Sequence, residues 1–136
     1  MAKLAAKNAG ERLEIDLAAD APPLAPAAPG AIDRAHLARM THGERDLERE
    51  VLQLYATQAD ILLARMGHSP TAAVAALAHT IKGSSRGIGA WQVADAAAAV
   101  ETDASEGRDT RASVRRLASA IRAAQVDIVE LMRGYA

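Results

Sequence analysis

From Gly30 onward the apolar residues recur at helical spacing, which predicts an all-α protein: an antiparallel up-and-down four-helix bundle with a short additional N-terminal helix. Two further observations support that class. The connections between periodic stretches are short and carry cap residues or glycine, so successive helices are expected to be antiparallel neighbours. The last stretch places Val114, Leu117, Ile121, Ala124, Ile128, Leu131 and Tyr135 at alternating steps of three and four, an unbroken apolar seam that needs partners.

Taken in order, residues 1–30 read as a flexible tail or linker, and residues 31–136 as the helical domain. The tail holds Pro22, Pro23, Pro26 and Pro29, which remove backbone donors and disfavour helix at the preceding residue. Leu13 to Leu17 alternates like a short strand but has no second strand to pair with. Asp33 is suited to cap a short helix ending near Met40, with Leu37 and Met40 as its apolar contacts. Thr41 and Glu44 have the spacing of a capping box and would start a helix from Glu44 to Met66. Its buried side would comprise Leu47, Val51, Leu54, Tyr55, Ile61, Leu62 and Met66. Gly67 reads as its stop, and Ser69 with Pro70 as the N-cap and first position of a third helix reaching Ile88. Gly89 ends or bends that helix. A fourth spans 91–106 with Val93, Ala97, Val100 and Ala104 on one side, and its alanines 96–99 allow a neighbour close approach. Gly107 and Asp109 supply a stop and a cap before the last helix.

A chain of 136 residues, half of them apolar and with a net charge of −1, has room for one compact domain plus a tail. The balance of 16 basic and 17 acidic residues gives no electrostatic footprint for nucleic acid. Without cysteine there is no disulfide framework or thiolate site, and no segment is apolar enough to span a bilayer. A cytoplasmic, monomeric protein is the expectation, with no nucleic-acid or membrane partner.

The stretch from Ala78 to Ala90 carries the chemistry. Gly83-Ser84-Ser85-Arg86-Gly87-Ile88-Gly89 resembles the glycine-rich loop of short-chain dehydrogenases, which binds a dinucleotide pyrophosphate. Such a loop follows a buried strand, whereas this one follows an alanine-rich run that favours helix, and what remains after Gly89 reads as two helices. On a helix, at about 100 degrees per residue, Val74, Leu77, Ala78, Ile81, Ser85 and Ile88 fall on one stripe. His79 lies well away from it, with Lys82, Gly83 and Arg86 beside it on the outward side. An ordinary imidazole is largely neutral at pH 7 and is a competent nitrogen nucleophile. Lys82 at i+3 could place its ammonium near a phosphoryl group on that ring, and Gly83 at i+4 leaves bare backbone where a partner could approach. Glycine inside a helix costs about 1 kcal/mol relative to alanine, so Gly83 and Gly87 invite a reason.

His79-Thr80-Ile81-Lys82-Gly83-Ser84-Ser85, followed by Gly89-Ala90, resembles the signature of histidine-containing phosphotransfer (HPt) domains of bacterial two-component phosphorelays, with isoleucine at 81 in place of the commoner leucine. The likeness extends over about residues 32–133 and includes Val100-Glu101 at the family's apolar-acidic position. The resemblance implies a phosphoryl carrier. His79 would accept the group at Nε2 from an aspartate of a receiver domain, or from a hybrid sensor kinase, and pass it to a response regulator. Glu101 would approach Nδ1, Lys82 would supply charge, and Gly83, Ser84 and Arg86 would belong to the docking face. Such a carrier has no ATP site and no intrinsic cofactor; Mg²⁺ is expected on the partner receiver. The alternative is a helical adaptor in which His79 is incidental. His79 has no His at i+4 and no carboxylate at i+3 or i+4 to form a metal pair. His36, His42 and His68 read as surface residues, Ser84 and Ser85 as small packing or locally hydrogen-bonding residues, and Trp91 as cover for a gap at the start of the fourth helix.

Overall fold

The computed structural model describes residues 31–135, which form five helices: α1 (Arg34–Met40), α2 (Arg45–Met66), α3 (Thr71–Ile88), α4 (Trp91–Ser105) and α5 (Arg111–Arg133). Helices α2 to α5 pack in sequence and α5 closes back on α2, giving the four-helix bundle, while α1 lies against α3. The described residues contain no strand. The tail assignment of residues 1–30, with the alternating stretch from Leu13 to Leu17, lies outside the described residues.

The core follows the predicted seams most closely in α3, α4 and α5. Val74, Ala78, Ile81, Ser85 and Ile88 are buried on α3, with Leu77 half-buried, and Val93, Ala97, Val100 and Ala104 are buried on α4. On α5, Leu117, Ile121, Ala124 and Ile128 are buried, and Val114, Leu131 and Tyr135 pack against the core at its two ends. The alanines serve as expected: Ala78 on α3 and Ala96 and Ala97 on α4 are fully buried, and side chains this small let the two backbones come together.

In α2 the buried set differs from the predicted one. Leu52, Tyr55, Ala59, Leu62 and Met66 form the inner seam, whereas Leu47, Leu54 and Ile61 are exposed and Val51 is half-buried. The helix carries apolar residues on two adjacent stripes, and one bundle can bury only one of them. Met40 is likewise exposed, so α1 anchors through Leu37 and the fully buried Ile32 just before it.

Three expected caps also act differently. Thr41 does not cap α2: its hydroxyl sits 2.8 Å from the Leu37 carbonyl and 3.1 Å from Glu48 Oε2, and it closes α1 instead. Ser69 turns back to the Arg65 carbonyl at 2.6 Å, which leaves Pro70 at the cap position of α3. Asp109 stands one residue before the cap of α5 and accepts from the Arg111 amide at 2.9 Å, an Asx turn. Asp33 caps α1 as predicted, accepting from the His36 amide at 3.1 Å.

The α3–α4 corner ties these elements together. Gly89 takes a left-handed φ of 82°, the Ala90 amide donates to the Ser85 carbonyl at 2.8 Å, and the Gly89 amide donates to the Arg86 carbonyl, the double bond of a Schellman ending. The Gly89 carbonyl in turn accepts from the Asp33 amide at 2.9 Å. A Cβ at 89 would stand 3.0 Å from both Cβ and O of Asp33, so glycine is required here by conformation and by space. Asp127 on α5, buried and outside the predicted seam, completes the attachment by accepting the Ile32 amide at 2.8 Å.

Candidate functional site

The close α3–α4 packing decides what stands beside His79. Val100 is buried in the seam, and the next residue, Glu101, emerges at its edge facing α3. One carboxylate oxygen lies 2.9 Å from His79 Nδ1 and the other 2.7 Å from Lys82 Nζ. Residues 22 positions apart in sequence thus share one hydrogen-bonded group. An ionised carboxylate only accepts, so in the neutral ring Nδ1 carries the proton and donates it, and Nε2 keeps its lone pair.

Exposure divides the three side chains by task. The His79 side chain is 67% exposed, Glu101 27% and Lys82 20%. The ring therefore projects while its two partners are mostly covered. Burial pushes the Glu101 carboxyl up, but the hydrogen bond and charge of Lys82, followed by those of His79, outweigh it and hold the group below its ordinary value. Lys82 does not stand free beside the ring, as its spacing alone suggested; its ammonium is engaged by Glu101.

The expected docking residues lie on the other flank of His79. Gly83 and Arg86 are exposed, and Ser84 is half-buried with its hydroxyl at 3.4 Å from Gln58 Oε1, a weak contact. A Cβ added at Gly83 or Gly87 would meet nothing within 4 Å, so packing inside the chain gives no reason for glycine at either position. Both lie within α3, which removes the dinucleotide-loop geometry. Ser85 is fully buried and pairs with the Tyr55 hydroxyl at 2.7 Å, joining α2 to α3; burial drives the Tyr55 phenol up to about 12, so it stays neutral.

Beyond Ser84 the surface dips into a groove of about 380 Å³ lined by Val51, Leu54, Tyr55, Gln58, Ser84 and Ile88. Val51, Leu54, Tyr55 and Ile88 of this lining belong to the apolar stripes predicted to be buried. The signal was present in α2, whose apolar positions exceed what one buried stripe accommodates. No group of three or more His, Cys, Asp or Glu side chains among the described residues could hold a metal ion, and no helix among them is long and apolar enough to cross a membrane.

The remaining histidines divide. His42 and His68 are exposed, but His36 departs from the surface expectation: its Nε2 is buried and makes no well-formed hydrogen bond among the described residues. Its ring meets Trp91 edge-on, with centroids 4.9 Å apart and planes at 62°.

The family model described as Hpt domain matches residues 50–127, which include His79, Lys82, Glu101 and the whole groove. No curated protein matches the chain significantly.

Proposed function

The chain belongs to the Hpt domain family, whose members carry phosphoryl groups on histidine in phosphorelays, and from that premise we propose that His79 is the phosphoacceptor. The observation that carries this reading is the exposed imidazole whose Nδ1 is held by Glu101, leaving Nε2 as the nucleophile.

In the proposed step Nε2 attacks the phosphorus of an aspartyl phosphate on a receiver domain. The N–P bond forms as the acyl phosphate P–O bond breaks, and the electron pair leaves with the receiver's aspartate as a carboxylate. The ring gains positive charge, which the Glu101 carboxylate stabilises through Nδ1–H. Lys82 fixes the second oxygen of Glu101 and keeps a positive charge one helical turn from the ring. Transfer onward to a second receiver, or back, reverses the same bonds. The work of the bundle is positioning and charge, which suits a carrier with no nucleotide site of its own. The receiver brings Mg²⁺.

The partners on this reading are response-regulator receivers or the receiver of a hybrid sensor kinase, met in the cytoplasm by a monomeric carrier. The docking face runs from His79 over the bare backbone of Gly83 and Gly87, with Arg86 and Ser84, into the apolar groove at Leu54, Val51 and Ile88. It offers charge at one edge, no side chains in the middle and apolar surface at the other edge.

The test is phosphotransfer from a panel of phosphorylated receivers to the wild type and to His79→Ala. Label on the wild type alone, lost in acid and kept in base as a phosphoramidate requires, is the expected result. Equal label on His79→Ala, or none on a folded wild type from any receiver, would point to an adaptor.

A further inference from the structure

We infer that His36, Trp91 and Asp33 form a pH-sensitive latch, which holds α1 against the end of α3 while His36 is neutral and releases it when His36 takes up a proton. The latch joins three elements. Asp33 precedes α1 and uses both carboxylate oxygens, one for the His36 amide at 3.1 Å and the other for the Trp91 indole N–H at 3.0 Å. Trp91 opens α4, and its ring lies against His36. The Asp33 amide holds the Gly89 carbonyl at the α3–α4 corner.

Within this cluster the His36 ring is a group out of balance. Its Nε2 is shut off from solvent and makes no well-formed hydrogen bond among the described residues, and a neutral imidazole tolerates that far better than a cation does. The groups facing it are Asp33 and Arg39 from its own segment, the Arg86 and Gly87 carbonyls from α3, and Trp91 from α4. Burial and Arg39 oppose a proton on the ring; Asp33 and the two carbonyls favour one, and the opposing pair prevails, so the ring is held below its ordinary 6.5. The sign of the linkage follows. The docked ring binds a proton less readily than the released ring, so docking is fully stable above the ordinary value. It weakens as pH falls below 6.5, and the loss levels off once pH passes the lowered docked value. Asp33 does not confuse the signal. Although burial pushes it up, its bonds to Trp91 and the His36 amide, with the charges of His36 and Arg39, hold it below its ordinary 3.8.

α1 has the build of a releasable element. It is seven residues long, buries one side chain of its own, Leu37, and leans on α3. The carbonyls it faces, of Arg86 and Gly87, directly precede Ile88, which lines the groove.

Trp91 is the only tryptophan, so its emission reports this latch directly. The full chain is titrated between about pH 7.5 and 4.5 with three readouts: Trp91 emission, the histidine ring resonances, and amide exchange of Leu37 to Thr41 divided by the intrinsic rate. Expected are a His36 ring that titrates below a free imidazole, an emission change with the same midpoint, and an α1 opening equilibrium that rises by up to about tenfold per pH unit below that of a free imidazole. His36→Phe, which keeps an aromatic edge against Trp91, should be flat in emission and exchange. The same transition in a folded His36→Phe would overturn the latch. So would a His36 ring in the wild type that titrates with or above a free imidazole, a measurement that decides the matter alone if His36→Phe does not fold.

Discussion

α3 meets its two long neighbours through unlike seams. Toward α4 the contact is built from Ala78, Ala96, Ala97 and Val100, all fully buried, and at its rim Glu101 binds both His79 and Lys82. Toward α2 the contact runs through Tyr55 and its bond to Ser85, and the helices part above it into the groove. Small side chains make a close seam suited to fixing the position of a ring. Larger side chains spread over two stripes leave apolar surface unfilled, as a surface that must accept a partner requires. On the proposed function, the closed seam does the chemistry and the open seam the recognition.

The largest effect should come from breaking the polar rim of the closed seam. Glu101→Ala removes the group that fixes the Nδ1–H tautomer and leaves Lys82 without its partner, so the phosphotransfer rate to His79 should fall by up to about 10²-fold, as misplacement of a reacting group does. Glu101→Gln keeps an oxygen for Nδ1–H and should recover part of the rate, read in rapid-quench transfer from a phosphorylated receiver. Because Glu101 is held below its ordinary 4.5, its contribution to stability is present above that value and is lost as pH falls through the lowered one. The difference in urea midpoint between wild type and Glu101→Ala should therefore narrow below about pH 4.5.

Next in size is a steric test of the two seams. Ala97→Leu would force a larger side chain into a fully buried position and should cost about 1–3 kcal/mol, while also spreading α3 from α4 and slowing transfer. Leu54→Ala, at a position 64% exposed on the groove, should change stability by less than about 0.5 kcal/mol and act on receiver affinity. Urea unfolding and a receiver-binding titration separate the two. Equal losses of stability would mean that the groove is part of the core.

The same contrast governs what could be read from the chain. α5 has one apolar stripe and one buried face, so its seam from Leu117 to Ile128 was legible outright. His79, Lys82 and Glu101 stood out because the stretch from His79 and the pair Val100-Glu101 resemble the HPt signature, although the Lys82 bond to Glu101 did not: a lysine three residues from a histidine can point at solvent or at a neighbouring helix. The groove was hidden because it belongs to two helices at once, and α2 alone cannot say which of its two apolar stripes faces inward. Two of the three misplaced caps share one cause. Thr41 and Ser69 carry hydroxyls that satisfy a carbonyl of the preceding helix as readily as an amide of the next, and both turned backward. His36 looked like a surface residue because Trp91, which covers it, is contributed by a different helix.

The sharpest test of the open flank is a substitution expected to add stability. Gly83 sits in the interior of α3, exposed, where an added Cβ touches nothing within 4 Å. Gly83→Ala should therefore stabilise the bundle by up to about 1 kcal/mol, whereas Gly89→Ala should destabilise it, since φ is positive there and the Asp33 backbone stands in the way. If the docking reading is right, the more stable Gly83→Ala protein binds receivers more weakly and accepts phosphoryl groups more slowly, because the methyl group occupies space the partner's surface needs. Greater stability with unchanged transfer would show that the partner does not approach the backbone at Gly83, and would confine recognition to the apolar groove and Arg86.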